Sequence, residues 1–68
     1  MADLDAYRVR SVAHLRGTIE LLHAVIADNL TIADLFPSRA SGARRRVREA
    51  HGELRRAERE LANLQRLA

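Results

Sequence analysis

The chain has 68 residues, no cysteine, no tryptophan, one tyrosine and one phenylalanine, so neither disulfides nor thiolate metal sites can supplement a small aliphatic core. Helix packed on helix is the architecture that remains. Twelve arginines and no lysine against nine acidic residues give a net charge of +3, an all-arginine usage that fits a high-GC coding sequence.

The charge is unevenly placed. Residues 1–37 carry three arginines against five acidic residues, a balance of −2, and residues 38–68 carry nine arginines against four glutamates, a balance of +5. Such asymmetry suits a polyanionic or acidic partner, or two halves that pair with each other. No stretch approaches the ~18 apolar residues of a membrane span. The acidic opening Met-Ala-Asp-Leu-Asp is unlike a basic signal or transit peptide, so the expected location is the cytoplasm.

The first element is expected to be a helix over residues 3–29, with Asp3 as N-cap and Asp5 placing negative charge in the first turn. Its heptad seam reads Val12, Leu15, Ile19, Leu22, Ile26. Leu21 and Val25 form a second strip, and Ala6, Ala13, Gly17, Ala24 and Ala27 leave the back almost free of side chains. A helix that is apolar or small nearly all round is buried on more than one side. Gly17 and Gly52 fall inside the two helices and are read as a close helix approach or a mild kink.

Asn29 suits a helix end. In Leu30-Thr31-Ile32-Ala33-Asp34-Leu35, Thr31 and Asp34 can form a reciprocal cap while Leu30 packs on Leu35. This predicts one short helical turn over 31–35, stopped by Pro37, which disfavours helical geometry at Phe36.

Ser38 or Ser41 is expected to cap a second long helix over 38–67. Small or apolar residues recur along it at 3-4 spacing: Ala40, Ala43, Val47, Ala50, Leu54, Ala57, Leu61, Leu64, Ala68. That is the seam of a helix laid against another helix. The opposite side reads Arg45, Arg48, Gly52, Arg55, Arg59, Ala62, Arg66.

The expected fold is therefore all-α: a single domain over 1–68 forming an antiparallel two-helix hairpin. A hairpin so poor in large apolar residues calls for further burial, met by a homodimeric coiled-coil-like four-helix bundle with the first helices central. The candidate interface residues are Val12, Leu15, Ile19, Leu21, Leu22, Val25, Ile26, Val47, Leu54, Leu61 and Leu64.

The expected role is a small non-enzymatic protein–protein interaction or assembly module, regulatory or inhibitory in kind. The alternative is a nucleic-acid-binding accessory protein. Arg44, Arg45, Arg48, Arg55, Arg59 and Arg66 would track phosphates over about 32 Å of helix, or residues 30–48 would form a degenerate helix-turn-helix. Glu49, Glu53, Glu58 and Glu60 interleave with the ridge and offer Arg45–Glu49 and Arg56–Glu60 pairs, and the segment has no aromatic residue to stack on bases.

Glu20-Leu21-Leu22-His23 has the Glu-x-x-His spacing of di-iron bundles, but Glu20 lies off the seam with Arg16 one turn away. His14, His23 and His51 are not at i, i+4 spacing, and there is no glycine-rich phosphate loop. No cofactor, metal, membrane or small-molecule substrate is expected.

Overall fold

The computed structural model describes residues 2–66: helix α1 (Ala2–Leu35), a 3₁₀ turn (Pro37–Arg39) and helix α2 (Ala40–Arg66). The two helices lie antiparallel side by side in a rod of 54 × 14 × 11 Å, consistent with the ~51 Å length of a 34-residue helix.

Both heptad seams meet as the sequence dictates. Leu15, Leu22 and Ile26 of α1 are buried against Ala43, Ala50, Leu54 and Ala57 of α2. Leu22, Ile26, Ala50 and Leu54 form the core cluster, with Ile19, Val25 and Val47 packed on it half-buried. Val12, Leu61 and Leu64 continue the contact, also half-buried. Ala43 is completely inaccessible: alanine on one helix lets the other approach closely and fill the space with leucine and isoleucine. Asn29 is level with Arg46 across the hairpin, and Ser11 and Leu15 lie level with Glu60 and Leu64.

The first helix is longer than expected. It does not stop at Asn29 but runs unbroken to Leu35. Position 29 continues the seam in the 3-4 rhythm (Ile26, Asn29, Ala33), and Asn29 is buried at 7% exposure. Its Nδ2 donates to the Val25 carbonyl at 2.8 Å, and its Oδ1 accepts from Arg46 Nε at 2.7 Å. An asparagine that would otherwise compete for the backbone is satisfied within the helix and across it.

Thr31 consequently caps nothing. Its hydroxyl donates to the Ala27 carbonyl at 3.1 Å, an i−4 bond from inside a helix. Leu30 and Leu35 stay exposed and form no buried staple. At the other end α1 begins at Ala2, which places Asp3 and Asp5 together in the first turn and not at the cap.

The stop at Pro37 is as expected. Phe36 leaves helical geometry (φ −129°, ψ 86°), its amide closing the last turn on the Ile32 carbonyl at 2.9 Å and its own carbonyl accepting from Arg39 N at 2.8 Å. No side chain caps this start: Pro37 has no amide to satisfy, and Ser38 lies within the 3₁₀ turn. Ser41 lies one residue inside α2. Residue 67, the expected end of the second helix, and the seam residue Ala68 lie outside the described residues.

Candidate functional site

The hairpin leaves two kinds of surface. The first is the arginine ridge on the outside of α2. Arg44, Arg45, Arg48, Arg55, Arg59 and Arg66 are all exposed. The expected Arg45–Glu49 and Arg56–Glu60 pairs do not close: among the described residues the single ion pair is Arg8–Asp5 at 3.7 Å on α1. The ridge therefore presents its charge to solvent, with Arg66 donating to the Asn63 side chain at 2.8 Å. Arg39 lies at the turn with its guanidinium 5.5 Å from the Phe36 ring centre, within cation–π range.

The second surface is apolar and belongs to α1. Leu4, Tyr7, Val9, Leu21, Leu30, Leu35 and Phe36 are large, apolar and exposed, and every one lies on α1 or the residue after it. Four of them fall in one line. Leu4, Tyr7, Ser11, His14 and Thr18 lead into Leu21, Val25, Asp28, Ile32 and Leu35 at strict 3-4 spacing. This strip runs about a third of the way round α1 from the hairpin seam. Leu21 and Val25 were expected on a second strip; Leu4, Tyr7, Ile32 and Leu35 extend it to both ends of the helix. The polar residues interspersed in it mask its periodicity in the sequence.

Of the expected interface residues, Leu15, Leu22, Ile26 and Leu54 are used up inside the hairpin. Leu21 is different: it is 65% exposed beside the 7% exposed Leu22.

Two open grooves flank the strip where α1 meets α2. The larger, about 590 Å³, is lined by Tyr7, Arg10, Ser11 and His14 of α1 and by Glu60, Asn63 and Leu64 of α2. The smaller, about 280 Å³, lies between Leu21 and Val25 on one side and Arg46, Glu49 and Glu53 on the other. Both open on the same broad side of the hairpin. The α2 edge of that side reads Arg46, Glu49, Glu53, Arg56, Glu60, Asn63 at 3-4 spacing.

Compared with known proteins, the chain matches no family model, no curated protein and no solved structure.

The Glu-x-x-His pair gathers no metal-binding cluster around it. Glu20 and His23 are exposed, and among the described residues no three His, Asp or Glu side chains converge as a metal site. The helix-turn-helix geometry expected for 30–48 is not formed. Residues 30–35 are the last turns of a 34-residue helix and α2 is 27 residues long, so no separate support helix crosses a short reading helix. No helix among the described residues is long and apolar enough to cross a membrane.

Proposed function

We propose that the protein is a non-enzymatic assembly module that works by burying α1 against a further protein surface, with a homodimeric four-helix bundle as its assembled form. The observation that carries this reading is the asymmetry between the helices. Among the described residues the exposed large apolar side chains lie on α1 and the following Phe36, while α2 turns charge outward.

The shape agrees. A chain of 7.7 kDa folded into a compact monomer exposes about 4,300 Å², whereas this hairpin exposes 5344 Å². Its radius of gyration is 15.7 Å against about 11 Å for a globular chain of this length. The excess surface, about 1,000 Å², is of the size that one partner contributes to a standard interface, about 800 Å². Sedimentation equilibrium at micromolar concentration tests the reading: a dimer is expected, and a stably folded monomer overturns it.

A second reading is favoured by the unpaired ridge. Exposed arginines along about 32 Å of helix suit the phosphates of a nucleic acid, bound without sequence preference and released between about 50 and 200 mM salt. A gel shift over that salt range tests it, with charge reversal at Arg48 and Arg55 expected to abolish binding and leave assembly intact. Absence of a shift at the lower salt removes it.

A further inference from the structure

We propose that a second copy of this chain seats antiparallel on the broad side that carries the α1 strip, with a two-fold axis running between Thr18 and Leu21 of α1 and between Glu53 and Arg56 of α2. This rests on the assembly reading and gives it a face, an orientation and a register.

The α1 strip is a palindrome in chemical character. Turned end for end about the point between Thr18 and Leu21, it sets Leu4 on the partner's Leu35 and Tyr7 on the partner's Ile32. Ser11 then meets the partner's Asp28, His14 the partner's Val25, and Thr18 the partner's Leu21. Apolar ends cover apolar ends, and the carboxylate meets a hydroxyl.

Sliding the partner by one heptad destroys this match. In one direction Leu4 lands on the partner's Asp28 while Ile32 and Leu35 are left in water. In the other, Leu35 lands on the partner's Ser11 and Ile32 on the partner's His14, while Leu4 and Tyr7 are left out. The unslid register alone covers both ends of the strip.

The α2 edge of the same side has its own centre of symmetry, and the hairpin brings the two centres level. Asn29 pairs with Arg46, and the large groove sets Ser11 and Leu15 beside Glu60 and Leu64. The middle of the α1 strip is therefore level with about residue 55 of α2, within about one residue's rise of the point between Glu53 and Arg56. A two-fold axis through both points places Glu53 opposite the partner's Arg56, twice. Glu49 then faces the partner's Glu60, a like-charge contact that Arg46 and Arg56 flank.

The grooves agree in charge. The partner's Asp28 arrives beside the large groove, where Arg10 and His14 stand. The partner's His14 arrives beside the small one, where Glu49 and Glu53 stand. The other two-fold arrangement of facing hairpins, with its axis along the helices, would instead press the apolar α1 strip on the partner's charged α2 edge and desolvate those charges without return.

Because the chain has no cysteine, introduced thiols report the geometry directly. The variant Leu4→Cys with Leu35→Cys is expected to close into a covalent dimer on mild oxidation. Either substitution alone is not, because two copies of Leu4 lie about 46 Å apart in this arrangement. Both positions are exposed in the hairpin, so its folding is not at stake. Leu21→Asp is expected to weaken self-association at least about a hundredfold.

Sedimentation of the unmodified chain separates the ways of failing. A folded monomer overturns the assembly reading and this face with it. A dimer that cross-links through Leu4→Cys alone overturns the antiparallel orientation and leaves assembly standing. A dimer in which the double variant does not cross-link overturns the register.

Discussion

Arg46 Nε donates to Asn29 Oδ1 across 2.7 Å at the closed end of the hairpin, joining the one buried polar residue of the seam to a side chain 17 positions later on the other helix. Asn29 spends its amide on the Val25 carbonyl, and among the described residues Arg46 is the group that satisfies its oxygen. Arg46→Ala is expected to cost about 1 kcal/mol or more, because a buried acceptor loses its partner. Asn29→Leu removes both needs at once and is expected to be neutral or stabilising. Thermal denaturation followed by circular dichroism, at one fixed chain concentration, distinguishes the two. A loss in the leucine variant as large as in Arg46→Ala would show that the pair does more than satisfy a buried oxygen.

The same pair explains what the sequence concealed. A buried asparagine at a seam position looks like a helix end, because asparagine suits the turn conformation there and the partner that keeps it helical lies far along the chain. The ambiguity propagates: with a helix end at Asn29, Thr31-Ile32-Ala33-Asp34 looks like a new start, although the same letters serve as ordinary interior turns. Where position in the heptad and chemistry agree, as at Leu22, Ile26, Ala50 and Leu54, the fold was legible in full. The arginine ridge was equally legible as an exposed face. The α1 strip was visible only at Leu21 and Val25, since Ser11, His14, Thr18 and Asp28 break its apolar rhythm.

Leu21 and Leu22 are adjacent in sequence and opposite in role. Leu22→Ala removes a buried core side chain and is expected to cost about 2–5 kcal/mol, enough to unfold a small helical hairpin. Leu21→Ala removes a side chain that the hairpin leaves in water and is expected to change the stability of the hairpin itself by no more than about 0.5 kcal/mol. Any larger effect of Leu21→Ala should grow with chain concentration, as linkage to association requires. Denaturation at two concentrations separates these contributions.

The alanines of α2 set the distance between the helices. Ala43 has no exposed surface at all, so a longer side chain there has nowhere to go without parting α1 from α2. Ala43→Leu is expected to destabilise by about 1–3 kcal/mol through overpacking, although it adds apolar surface. Ala62 is exposed on the outer face, and Ala62→Leu is expected to stay within about 0.5 kcal/mol of the parent. Urea midpoints for the two variants test the contrast, and equal midpoints would mean that the helices do not close on Ala43.

Gly17 and Gly52 sit inside the helices with nothing within 4 Å of where a β-carbon would project. Neither marks a close approach of the helices, and neither has a left-handed backbone. What remains is their entropic cost in a helix interior, so Gly52→Ala on α2 is expected to raise stability by about 1 kcal/mol. Gly17→Ala should do the same and be additive with it, since the two positions share no contact partner. In a domain of this size a gain of that order corresponds to a rise in Tm of about 4–8 °C per substitution, which a thermal melt resolves easily. A fall in Tm at Gly17 alone would place a neighbouring surface against that side of α1, which the hairpin by itself leaves open.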